Sequence, residues 1–174
     1  MIEIETWHEL TNINDDAKQF LLKNIYVNTV LWNELVRHFK SYLASTEKVT
    51  FNYEAMLSLI YYVQENYAVH EDVSLEILKG TVERFYNTVS YLFTSNTVQS
   101  KTPIEFKDMV SIYAPVYISK GLFTVNDIDG ILHIEDTAIW LPGDMRMPRE
   151  YTGIKLHYKV NEENNTEHFS ITFI

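Results

Sequence analysis

Ser74–Ser95 reads SLEILKGTVERFYNTVSYLFTS. Leu75, Leu78, Val82, Phe85, Val89 and Leu92 recur at steps of three, four, three, four and three. That spacing predicts an amphipathic helix with one continuous apolar seam. Ser74 stands where an N-cap is wanted, and Val73 and Leu78 hold the two positions of a hydrophobic staple. Gly80 falls off the seam. In a helix it costs about 1 kcal/mol relative to alanine, so its presence points to close approach of another backbone. Three heptads are the lower limit for a coiled coil. The flanking segments offer apolar faces that need a cover, so this helix is expected at the centre of the fold.

Toward the N-terminus, Asn52 can cap a helix over Phe51–Tyr67, with Phe51 and Met56 as its staple. Met56, Leu59, Ile60, Val63 and Tyr67 share one face. Before it lies NDDAKQFLLKNIYVNTVLWNELVRHFKSYLAS, where Asn14 can cap and Asp15 and Asp16 suit the positive end of the helix dipole. Asn24, Asn28 and the β-branched Val27, Thr29 and Val30 lower helix propensity mid-run. Two helices, or one bent near 24–28, are expected. Ile2 and Ile4 alternate with Glu3 and Glu5 and suggest a short strand or arm.

Toward the C-terminus, Thr102-Pro103-Ile104-Glu105 is a full capping box, with Phe106, Met109, Val110 and Tyr113 on the face that follows. Pro115 should end this helix near Tyr113, and a short helical turn running to Lys120 would stop at Gly121. Beyond Gly121 the period changes to two. Leu122–Val125 and Ile131–Asp136 flank a loop at Asn126–Gly130, Thr137–Leu141 is a third strand, and Pro142-Gly143 stops it. Ile154–Val160 and His168–Ile174 form a second hairpin. Pairing Tyr158 with Phe169 also pairs Leu156 with Ile171 and Ile154 with Phe173 on one face, and turns Lys155, His157 and Lys159 to the other.

The expected class is α+β: about five helices packed on a mainly antiparallel sheet of four to five strands. Residues 1–174 are read as one domain, 1–120 mainly helical and 121–174 mainly β. The 174 residues can bury a core without staples. The absence of cysteine excludes thiol chemistry, disulfides and cysteine-based zinc sites. MIEIETWHEL has neither the basic nor the apolar region of a secretory signal, and no apolar run reaches the length of a membrane span. A cytoplasmic protein with no membrane partner is expected. The formal charge is −10, from 24 acids and 14 bases. The excess is shared, with 13 acids to 7 bases up to residue 100 and 11 to 7 after it. Such a surface opposes direct binding to nucleic acid and suits a partner with a basic surface.

Several groups of residues could carry chemistry. His133 and Glu135 alternate on a strand and could hold a metal with His157 or His168. Residues on a strand's polar face are also ordinary solvated residues, and no spacing fixes a third ligand. Asp127-Ile128-Asp129-Gly130 has the look of a calcium loop, but the first ligand position would fall on Val125, so a hairpin turn accounts for it better. Asp144, Arg146, Arg149, Glu150 and Tyr151 sit on a long loop that could bind an anion or anchor a partner. Glu65, His70, Glu71 and Asp72 could do acid–base work but are better read as a solvated connection. Twelve tyrosines suit interface anchors as well as half-buried surfaces. Nucleophile, P-loop and dinucleotide motifs are absent. A helix ending at Lys120-Gly121 before a hairpin could close a winged-helix unit. A DNA-reading version would need basic residues on its recognition helix and wing, where Asp127, Asp129, Glu135 and Asp136 stand instead, which leaves a winged-helix-like contact with protein.

The function expected from all this is a small acidic interaction protein without catalytic activity or cofactor. It would bind another, basic protein, as an inhibitor or immunity-type protein of a bacterium or phage does. Arg146, Arg149, Tyr151, Asp127 and Asp129 are the candidate contact residues. One alternative is an enzyme or small-molecule-binding domain using His133, Glu135, Arg146 and Arg149 in a pocket between sheet and helices. The other is a structural subunit of a larger assembly.

Overall fold

Asn14 opens the longest element of the chain, its side chain accepting from the Ala17 N–H at 2.8 Å. From there α1 (Asp15–Ala44) runs thirty residues without a break. The weak point expected near residues 24–28 does not divide it. Its polar residues bond inside the helix instead: Asn24 Nδ2 donates to the Phe20 carbonyl at 3.0 Å, Asn28 Nδ2 to Asn24 O at 2.7 Å and Thr29 Oγ1 to Ile25 O at 2.6 Å. This is a computed structural model, and it describes residues 6–45, 51–67, 73–94, 107 and 113–174.

Asn52 caps α2 (Tyr53–Asn66) by accepting from the Ala55 N–H at 2.9 Å. Next comes α3 (Leu75–Thr94), the helix of the quoted stretch. Leu78, Val82, Phe85 and Val89 of its seam are fully buried, in one cluster with Leu31, Leu35 and Phe39 of α1 and Met56, Ile60 and Val63 of α2. Phe85 stands edge-on to Trp32 at 5.2 Å and to Phe39 at 6.0 Å. Each such side chain gains roughly 1.5–3 kcal/mol on leaving water. Gly80 faces the other way. A Cβ there would stand 3.2 Å from the Tyr117 carbonyl oxygen, so this helix does lie against a second backbone.

The strands are β1 (His8–Glu9), β2 (Val116–Ser119), β3 (Phe123–Asn126), β4 (Ile131–Ile134), β5 (Thr137–Trp140), β6 (Gly153–Asn161) and β7 (Thr166–Phe173). All pairings are antiparallel. One sheet has the order β1-β7-β6-β2, here sheet A, and the other β3-β4-β5, sheet B. The class is α+β as expected, with two corrections. Three helices, not about five, stand among the described residues, because α1 is one helix and the segment read as a helical turn before Lys120 is β2. Val-Tyr-Ile-Ser alternates buried and outward and pairs with β6, and Gly121 serves a turn at φ 147°. The strands also form two sheets rather than one, because β2 takes the free edge of β6 and the short hairpins pair only among themselves. The register Tyr158 to Phe169, Leu156 to Ile171 and Ile154 to Phe173 is as read. The arm at Ile2 and Ile4, the connection at His70–Asp72 and the capping box at 102–105 lie outside the described residues.

A second buried cluster joins both sheets to the N-terminal half of α1. Ala17, Leu21 and Ile25 meet Val116, Ile118, Leu132, Ile134, Ile139, Ile154, Leu156 and Ile171, and Ile77 of α3 joins them. The entry to β2 is tied to α1: the Ala114 N–H donates to Thr29 Oγ1 at 3.0 Å, and Asn33 exchanges both its amide bonds with the backbone of Lys107, at 2.8 and 2.9 Å. No helix among the described residues is long and apolar enough to cross a membrane.

Candidate functional site

Sheet B differs from its surroundings in charge. Residues 121–144 contain Asp127, Asp129, Glu135, Asp136 and Asp144, and no lysine or arginine. The chain alternates through these strands, so Leu132, Ile134 and Ile139 go inward and the carboxylates collect in the turns. Asp127 and Asp129 are exposed at the β3–β4 turn, and Glu135 and Asp136 at the opposite end of β4. Both alternating strands and polar turns follow from the sequence physics.

The β3–β4 turn is closely defined. Asn126 Oδ1 accepts from the N–H groups of Ile128 at 3.0 Å and Asp129 at 3.3 Å, and its Nδ2 donates to Asp129 Oδ2 at 2.6 Å. Gly130 takes φ 64°. Beside the turn is a groove of about 240 Å³ lined by Val125, Asp127, Ile128, Asp129, Leu141, Met145 and Met147 among others.

The loop that follows β5 separates this groove from a larger open cleft of about 1090 Å³. Thr6 and His8 line it on one side, Asp144, Arg146 and Glu150 come from the loop, and Lys155 and Thr172 come from sheet A. On the same outward face of sheet A, Trp7 covers His157 with ring centroids 5.0 Å apart. Burial holds the His157 imidazolium form down, and Lys159 and Lys107 act in the same direction. At the inward edge, Glu167 accepts from Lys18 and from Tyr158 Oη, the latter at 2.8 Å. These bonds pull the Glu167 carboxyl below its usual range. Burial and the carboxylate push the Tyr158 phenol up.

Each residue singled out from sequence has a definite place. Arg146 lines the larger cleft; Arg149 is exposed on the same loop but lines neither hollow. Tyr151 is half-buried: it stacks on Phe123 at 5.9 Å, meets Phe173 edge-on at 5.0 Å and carries Lys120 Nζ 4.5 Å above its ring. It packs the junction of the two sheets. His133 points outward on β4 between Thr124 and Ala138. Glu135 is not its neighbour on a strand face, because β4 ends at Ile134 and Glu135 occupies the two-residue turn with φ 52°. His133, Glu135, Arg146 and Arg149 do not converge on one cleft, and no group of three metal-ligating side chains occurs among the described residues. Of the acid–base set, Glu65 is exposed on α2. The tyrosines divide: Tyr26, Tyr61, Tyr62 and Tyr86 are exposed on helices, and Tyr113 and Tyr158 pack together at 4.9 Å.

Ile128, Met145, Met147, His8 and Thr172 line these hollows without being candidates from the sequence. For Ile128 a signal was present, since an apolar β-branched residue between two aspartates has no role in turn chemistry. For the others the signal is tertiary, because the loop and the N-terminal arm meet only in the fold. No protein-family model matches the sequence, and no curated protein matches it at a significant level.

Proposed function

We propose that this chain is a non-enzymatic interaction protein that binds a basic protein through sheet B. The separation of charge carries the reading: five carboxylates and no lysine or arginine within residues 121–144. A single-sign surface raises the rate of encounter with an oppositely charged partner and rejects like-charged ones. A nucleic-acid-binding protein is a partner of this kind. Covering its phosphate-binding surface would make this chain an inhibitor, and the size and acidity accord with an immunity-type protein of a bacterium or phage. The test is capture by tagged protein at low and high salt, wild type beside a variant carrying Asp127→Asn, Asp129→Asn, Glu135→Gln and Asp136→Gln. A stoichiometric basic partner, lost in the variant and at high salt, is the expected result. Capture of no stoichiometric protein, or equal capture by both forms, would refute it.

A second reading rests on the larger cleft. Arg146, Lys155 and His8 around one hollow, with Thr6 and Thr172 beside them, could hold a small anion against the repulsion of Asp144 and Glu150, which line the same hollow. Thermal shift with a panel of phosphates and carboxylates tests it, with Arg146→Gln as the control.

A further inference from the structure

In the β3–β4 turn Asn126, Asp129 and Gly130 each have a part in the fold, and Asp127 is an exposed polar residue of the kind turns ordinarily carry. Asn126 organises the turn, Asp129 receives its amide, and Gly130 supplies the positive φ while its N–H returns to the Asn126 carbonyl at 2.8 Å. The Ile128 side chain does nothing of the kind. It is 95% exposed at the tip, where it buries almost no surface. Its stiffness gives the turn no advantage over a polar residue. Rigidity does matter in a contact, because an anchor that is already fixed loses little entropy on binding.

The surroundings fit an anchor. The groove beside Ile128 is walled by Val125, Leu141, Pro142, Met145 and Met147, and methionines adapt to an incoming apolar group. Asp127 and Asp129 flank the tip. We infer that Ile128 and the Met145–Met147 groove together dock a cationic amphipathic segment of the partner. Its apolar side chains lie on the tip and in the groove, and its lysines or arginines meet Asp127 and Asp129. This rests on the reading of sheet B as the basic-partner surface and specifies where on it contact is made. A second copy of the chain is the wrong occupant, since each copy carries a formal charge of −10.

The probe is a synthetic helical peptide of leucine and lysine, about 15 residues long, the length at which a helix becomes marginally stable. It is titrated into the isotope-labelled full chain and followed by amide chemical shifts. Changes should centre on residues 125–130 and 141–147. Ile128→Ser should weaken binding about tenfold, as loss of a central anchor does, while Ile128→Leu retains it. The spectrum away from the tip confirms that each variant is folded. Changes centred on Glu135 and Asp136, or equal affinity of Ile128→Ser, would overturn the anchor and leave sheet B as the basic-partner surface; changes centred on the helices would overturn both. No binding by wild type at low salt would overturn the anchor, and the capture experiment then decides the basic-partner reading by itself.

Discussion

Sheets A and B are built from the same alternation and put it to different ends. The long strands β6 and β7 of sheet A run nine and eight residues, and each strand of sheet B runs four. Sheet A is closed in: α3 presses on its β2 edge, where Gly80 meets the Tyr117 carbonyl, Trp7 lies on its outer face, and Lys18 of α1 reaches Glu167. Sheet B gives Leu132, Ile134 and Ile139 to the shared core and leaves both its turns in water. The difference separates two tasks. Sheet A is where a changed atom should cost stability, and sheet B is where it should alter what the surface presents.

The largest effect expected lies at Gly153. A Cβ there would stand 2.6 Å from the Ile118 carbonyl oxygen and 3.0 Å from the Tyr117 ring. The carbonyl belongs to a paired strand and cannot turn aside. Gly153→Ala should lose about 3 kcal/mol in urea denaturation, the upper end for overpacking. Gly143, at the end of sheet B, has nothing within 4 Å of an added Cβ. Gly143→Ala should be neutral or stabilising by less than about 1 kcal/mol. Equal costs at the two glycines would show that the two sheets do not divide these tasks.

Next comes Thr29, which fastens the entry of sheet A to α1. Its hydroxyl donates to Ile25 O and accepts from the Ala114 N–H. Thr29→Val keeps the shape and leaves that buried N–H without its acceptor. About 2 kcal/mol should be lost, the usual cost of an unmet buried donor. Thr29→Ser, which keeps the oxygen, should recover most of it.

Thr29 also shows what could be read from the sequence. The helix caps at Asn14 and Asn52, the seam of α3, the contact at Gly80 and the β6–β7 register were legible because each depends on residues a few positions apart or on strict alternation. Thr29, Asn28 and Asn24 looked like breaks in a helix because their propensity is poor. In the fold they bond to the preceding turn of the helix, and Asn28 Oδ1 also accepts from Thr81 Oγ1 across the core. Propensity sees the residue and not its partner. β2 was misread for a similar reason, since its ladder lies with β6, which starts 34 positions on from Ser119. At the candidate site, Asp127 and Asp129 were legible from turn chemistry, whereas the Met145–Met147 groove depends on where the loop folds back.

A smaller effect separates the sheets by pH. His157 of sheet A is held toward its neutral form, by burial first and then by Lys159 and Lys107. A histidine whose folded pKa is depressed adds stability above its unfolded pKa, near 6.5, and loses it as pH falls. Wild type should therefore lose stability relative to His157→Gln between pH 7 and pH 5, by less than about 1 kcal/mol for a half-exposed group. Glu167 has the same sign in a lower window: its depressed carboxyl supports the fold above about pH 4.5 and ceases to below it. Glu167→Gln should flatten that acid limb. Parallel denaturation curves for wild type and both variants would show that sheet A's enclosure has no electrostatic consequence.

The smallest effect is expected at Ile128, and there a null result is informative. Core isoleucines give up about 1 kcal/mol even on shortening to valine. Ile128→Ser removes more of the side chain and should change stability by less than about 0.5 kcal/mol, because the side chain is in water before and after unfolding. Asn126→Ala, two positions away, should cost about 1 kcal/mol, since it deletes the acceptor for two backbone N–H groups. If Ile128→Ser costs as much as Asn126→Ala, the isoleucine supports the hairpin from within and its exposure needs no partner. If Asn126→Ala alone destabilises, the fold has no use for an apolar side chain at that tip. Its place on the acidic sheet then has to be explained by what the sheet meets.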